Sequence, residues 1–255
     1  MDLQRASGWK RIAAWVLDLM LLCVLAVGAA FGLSGVLDYD GYYQTVQTAY
    51  DRYAQQYGID LDMNQADYDA MTAEEKADYD AAVKAIDAAL NADEEVTYAY
   101  NMVVNLSLVI TTLGILLAML ALEFVVPLLL KNGQTIGKKC FALGVVRVDG
   151  VKITPVQLFT RTLLGKFAVE TMIPVYVVLM FYWGVMGLGG TIALLILLII
   201  QIVCIAVGQN RLAIHDRLAG TVVVDIASQK IFESTEDLIA YTKRIHAEQV
   251  KRQNS

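Results

Sequence analysis

Hydrophobic positions concentrate in four long runs, about residues 12–36, 102–130, 158–183 and 190–208. Each approaches or exceeds the roughly 20 residues a helix needs to cross a bilayer. The third is the most interrupted, by Arg161, Lys166 and Glu170, so a soluble amphipathic helix competes with a crossing there; against that, 173–183 is almost wholly apolar. Between the first two runs lies a polar segment with Tyr and Ala at helical intervals. A helix start is predicted at Thr72, where Glu75 three residues on makes a capping-box spacing. After the second run the pattern alternates like a strand, and Asp149-Gly150 between Val148 and Val151 reads as the turn of a small hairpin. The chain ends in an amphipathic stretch with Ser234 as its N-cap. The pattern divides the chain into an N-terminus and first transmembrane helix (1–37), a helical insert (38–101), three further transmembrane helices (102–225, with a loop at 131–157) and an amphipathic tail (226–255).

Composition turns these runs into a membrane protein: 57% of the 255 residues are hydrophobic, more apolar surface than one soluble core of that length carries. The expected fold class is therefore all-α, a bundle of four transmembrane helices with an acidic helical insert and a small hairpin. The net charge of -6 conceals a division, because residues 38–101 hold fifteen acids and three bases. Lys and Arg instead cluster at the span ends: Arg5, Lys10 and Arg11 at the first; Lys131, Lys138, Lys139, Arg147 and Lys152 after the second; Arg211 and Arg217 after the fourth. The positive-inside rule puts all of them, and both termini, in the cytoplasm, and leaves the insert outside. A third crossing is what keeps these basic segments on one side. The first run is too long for a cleaved signal peptide and carries Asp18, unwelcome in one. Three cysteines, Cys23, Cys140 and Cys204, follow no disulfide or zinc spacing.

Two motifs fail their own tests. Asp60, Asp62 and Asn64 begin like an EF-hand, but Gln65 stands where Gly is needed and Met71 where Glu is needed. Gly133, Gly137 and Lys138 suggest a phosphate loop, but three residues separate the glycines instead of four, and Lys139 follows in place of Ser or Thr. The loop reads instead as an interfacial segment with Lys138 and Lys139 facing anionic headgroups.

The charged residues inside the spans carry the chemistry. An ionised Asp near the centre of a lipid-exposed helix costs on the order of 3 kcal/mol, so Asp18 needs a partner, a proton or a wet cavity. Arg11 shares its face, seven residues back, but sits roughly 10 Å away along the axis and reads equally as a snorkelling interfacial anchor. Counting from the cytoplasmic span ends places Asp18, Glu123, Lys166 and Gln201 at a similar depth, a polar layer in which Lys166 is the expected partner of Asp18 and Glu123 its competitor. One ammonium against two carboxylates would leave an acid to hold a proton or a cation. Asp216 is expected to meet Arg11 or Arg161 at the cytoplasmic edge. Gly28 and Gly32 form a GxxxG spacing compatible with a homodimer, though such spacings are frequent by chance.

Three blocks in order, "RIAAWVLD" with Arg11 and Asp18, "GQTIGKKCFALGVVRVDG" with "TRTLL" after it, and "HDRLAGTVVV" with Asp216, resemble the RDD family of bacterial membrane proteins. The resemblance implies a multi-pass plasma-membrane protein whose signature positions are Arg11, Asp18 and Asp216, with no chemistry assigned to them. It also implies a mostly undetermined role, with transport, including sodium/proton exchange, suggested for some members. The long acidic insert departs from the short connection typical of relatives. Two readings stay open. One is a small transporter of a monovalent cation or proton. The other is a scaffold in which the charges fix helix register and the insert and tail serve as docking surfaces. No enzyme, cofactor, metal site or nucleic-acid partner is expected: there is no HExxH and no recognised aspartate pair, and His215 beside Asp216 is too little for a triad.

Overall fold

The structure, a computed structural model, describes residues 6–130, 133–184, 188–207 and 212–253, and several residues of 188–207, Gln201 among them, by their backbone alone. It is 78% helical. Among the described residues three helices are long and apolar enough to cross a membrane: α1 (Gly8–Val36), α5 (Glu94–Leu129) and α7 (Pro155–Tyr182). The fourth apolar run is overlain by α8 (Leu188–Val207), a further 20 helical residues. The third run is one continuous helix. Thr154 starts it with a reciprocal capping box to Gln157, and Pro155 occupies its first turn, where a missing N–H costs nothing.

Helices α5 and α7 are not α-helical throughout. Leu120–Val125 and Thr160–Met172 are wound as π-helix. The sequence supplies a cause, because Pro127 follows the first segment and Pro174 the second by two residues. A proline inside a helix removes the bond to the carbonyl four residues back, and a wider i→i+5 turn is one way for the chain to accommodate it. Those carbonyls belong to Glu123 and Glu170, and the one on Glu123 is taken up by the Thr162 hydroxyl at 2.9 Å.

The chain forms two compact units. One, Val27–Gly114, contains the insert: α2 (Tyr39–Tyr57), α3 (Gln65–Ala70) and α4 (Ala73–Ala92). Ala49, Ile86, Leu90 and Val96 form its core, with Tyr53, Ile59 and Leu61 packed on them. The predicted start at Thr72 is a capping box with Glu75. The residues that begin like an EF-hand have local tasks: Asp60 accepts the Asp62 N–H, and Asn64 caps α3 by accepting from Asp67 N. Arg52 pairs with Asp93 at 2.9 Å.

The other unit, Met1–Ala26 with Ile115–Ser255, adds short α6 (Ile136–Cys140), β1 (Leu143–Arg147), α9 (Ile214–Ala219), β2 (Thr221–Asp225) and the tail helix α10 (Thr235–Gln253). Here the expected hairpin is present only as a short turn. Gly150 does make a tight turn at φ 85°, but only Val146 bridges to Lys152 beyond it. The full partner of β1 is β2, antiparallel, with Val145 opposite Val223. The reason is burial on both faces. Leu143, Val145 and Val223 pack with Ala14 of α1, while Val146, Val222 and Val224 pack with Leu212 and Ile231. A strand buried on both sides needs a partner as apolar as itself; "TVVVD" is one, whereas the residues after Gly150 run at once into Lys152 and Pro155.

Candidate functional site

The centre of the second unit is a group of buried charges where α1, α5, α6, α7 and α9 meet. Asp18 sits on α1 against the start of α6. Its carboxylate accepts the Gly137 N–H at 2.7 Å and the Thr135 hydroxyl, with the Lys138 ammonium at 3.7 Å. Thr135 is also the N-cap of α6, accepting from Lys138 N, so one hydroxyl serves the helix start and the acid. Helix starts offer unbonded N–H groups, which suit an anion. Gly137 is required by closeness: a Cβ there would lie 2.3 Å from the Ala14 carbonyl oxygen and 2.8 Å from Asp18 Oδ1.

Glu123, in the π-helical part of α5, is buried and paired with Lys166 on α7. An α-helix would turn Arg161 away from Lys166 and Glu170, since five and nine residues rotate it through 500° and 900°, whereas Lys166 and Glu170, four apart, would already share a face. The wider π turn returns to nearly the same face after four to five residues, so Arg161, Lys166 and Glu170 line up towards the cluster, with Gly165 among them. A Cβ on Gly165 would come within 2.5 Å of His215 Cα, so α9 crosses α7 at closest approach there.

Across that crossing, Arg161 Nε donates to Asp216 Oδ1 at 2.9 Å, and Thr221 donates its hydroxyl to the same oxygen at 2.9 Å. Arg11 stands 4.0 Å from Asp216 Oδ2. Glu170 accepts the His215 backbone N–H at 3.0 Å and meets the imidazole Nδ1 at 2.7 Å; Nε2 faces Asp216 at 3.5 Å. Burial pushes the His215 imidazole below its ordinary value despite the Asp216 charge. For Asp216, burial works upwards, but Arg161, His215 and the Thr221 hydrogen bond outweigh it and hold the carboxyl well below the usual range. The Lys138 ammonium, buried beside Glu123 and Asp18, is pushed down to about 8.

The geometry corrects three expectations. Lys166 pairs with Glu123 and not with Asp18, whose partners come from the loop at 135–138, because that loop folds back against α1. Lys138 is buried in the cluster instead of facing headgroups; Lys139 beside it is exposed. The expected surplus of negative charge is absent among the described residues: Asp18, Glu123, Glu170 and Asp216 stand with Arg11, Lys138, Arg161 and Lys166. The side chain of Gln201 lies outside the described residues. Thr135, Gly137, Thr162, Glu170 and His215 were not anticipated as members. A signal for Glu170 was available, since Glu-x-x-x-Pro occurs at both Glu123 and Glu170.

Two outcomes test this arrangement. Asp216→Asn leaves the buried Arg161 charge unpaired, and Arg161→Met removes the direct hydrogen bond to Asp216 and leaves it the more distant Arg11. Each is expected to cost about 3–5 kcal/mol in detergent unfolding, with the double variant losing much less than the sum; simple additivity would refute the pair. The ordinary value for Lys138 is 10.5, so the unfolded chain holds a proton that the folded one has lost between pH 8 and 10.5. Stability contributed by this group rises with pH across that window, and Lys138→Gln should remove that part of the rise in thermal melts.

The model of the RDD family matches residues 5–220, taking in every charged residue of this cluster. No curated protein and no solved structure matches the chain. The match spans well over half of the sequence, from the start of the first apolar helix through the Asp216 block, and so this chain belongs to the RDD family of membrane proteins.

Proposed function

We propose that the chain is a non-transporting scaffold of the bacterial plasma membrane. In this reading it crosses four times, with α8 as the fourth span, both termini in the cytoplasm and the insert outside. The carrying observation is charge matching: Asp18, Glu123 and Asp216, the buried acids of the cluster, each have a Lys or Arg partner within 4.0 Å, and the half-buried Glu170 is held by the His215 backbone and imidazole. A site that loads and unloads a cation gains from an unmatched acid, whereas a junction that fixes helix register needs pairs. Such pairs add little net stability over an apolar contact, but breaking one is costly, which holds one arrangement against its alternatives. The acidic insert and the tail helix α10 then serve as docking surfaces, and Gly28 and Gly32, with open space beside them, permit a second copy to approach.

A second reading, transport of a proton or monovalent cation, has one observation in its favour. Glu123 Oε2 and Asp216 Oδ2 are buried and accept no hydrogen bond among the described residues. Cation and proton fluxes in proteoliposomes separate the two. The scaffold predicts flux equal to protein-free vesicles for sodium, potassium and protons. An ion-dependent flux abolished by Glu123→Gln would overturn it in favour of transport.

Orientation is tested separately. A cysteine placed at Ala73 should react with an impermeant reagent added outside cells, and one at Ser228 should not; the reverse pattern would sink the topology.

A further inference from the structure

Beside the charge cluster, and taking no part in it, lies an open groove of about 290 Å³ lined by Pro127, Leu128, Lys152, Ile153, Pro155 and Leu158 together with Gly133 and Thr154. Its place is set by two helix ends. Leu129 is the last residue of apolar helix α5 and Pro155 the first of apolar helix α7. The groove therefore lies where both helices leave the hydrocarbon, at headgroup level, whichever side of the membrane that is. Its surroundings are apolar and uncovered: Leu129 is 73% exposed, Val156 74% and Phe159 45%. On a membrane protein such side chains at a span end stand against acyl chains, so the groove is continuous with the lipid-facing surface.

Among the described residues, Lys152 is the one charged residue of the lining. Its ammonium pairs with Glu233 at 2.7 Å, but the Glu233 side chain is 74% exposed. A pair this open to water holds its partners weakly, so a phosphate arriving at the groove can take the ammonium over. The Thr154 hydroxyl is committed to Gln157 in the cap of α7, which leaves Lys152 as the group that selects by charge.

We propose that this groove binds one anionic phospholipid, the upper part of an acyl chain lying against Leu128 over a floor of Pro127 and Leu158 and the phosphate meeting Lys152. The volume is at the lower limit of small-molecule pockets. It accommodates part of a chain and not a whole lipid, as a groove open to the bilayer should. Binding would tie the end of α5 to the start of α7, the two helices that bring Glu123 and Lys166 together. This site depends on neither reading of function above and on neither orientation.

The test is lipid retention by the full-length purified protein, read by native mass spectrometry after exchange into detergent with equal amounts of phosphatidylglycerol and phosphatidylcholine. The wild type should retain phosphatidylglycerol with a several-fold preference. Lys152→Gln should erase the preference, and Leu128→Trp, which fills the groove from its rim, should reduce retention of both lipids. Glu233→Gln keeps the lysine and removes its competitor, so it should sharpen the preference, and it serves if Lys152→Gln fails to fold. Equal retention of the two lipids by the wild type, an unchanged preference in Glu233→Gln, undiminished binding in Leu128→Trp, or displacement of the lipid by glycerol phosphate at equal concentration would each overturn the proposal.

Discussion

A carboxylate in an apolar helix must find hydrogen-bond donors or give up its charge, and the second unit is built around meeting that demand for Asp18. The backbone of α1 cannot supply the donors, because helical N–H groups are already used. They come from the loop after α5, which presents a helix start, a hydroxyl and an ammonium together. Meeting Asp18 this closely dictates Gly137, and it lays the following strand against Ala14. The small sheet thus inherits its position from an electrostatic requirement in the helix below it.

The prolines of α5 and α7 act through the same economy of backbone bonds. Each removes one N–H, and the helix before each is wound more widely, which re-phases the side chains. In α7 this brings Arg161 round to the inward face that Lys166 and Glu170 share. Lipid then meets the apolar remainder, and a helix that reads as marginal for a membrane becomes acceptable there. The centre of the cluster is interior: Arg161, one of the longest polar side chains, is only 1% exposed, as it must be in a helix with this charge content.

The helices were legible because their signals are local: apolar length, the Thr72 cap, the polar insert. The Asp216 block was legible as an edge feature, and Arg161 as one of two basic residues within reach. Partner choice for Asp18 was not. Depth counted along straight α-helices assumes a constant pitch and rigid ends, and both assumptions fail, one at the π segments and one where residues 135–138 fold back on α1. The β1–β2 pairing was also hidden, since Asp149-Gly150 advertises a local turn while the matching run lies 78 positions from Leu143 at Thr221. Long-range pairing of two short apolar segments leaves no trace in local spacing.

Synthesis proceeds from the N-terminus, and this gives the Asp18 contact a history. The acid is made 117 residues before Thr135, the first of its donors, and 119 before Gly137. At translation rates of roughly 5–20 residues per second, the first apolar helix spends on the order of ten seconds with its carboxylate unanswered. During that interval it must remain protonated, stay near water, or lean on another protein. Assembly of this chain is therefore a matter of timing as well as of contacts, and its most vulnerable moment comes before two-thirds of the protein exists.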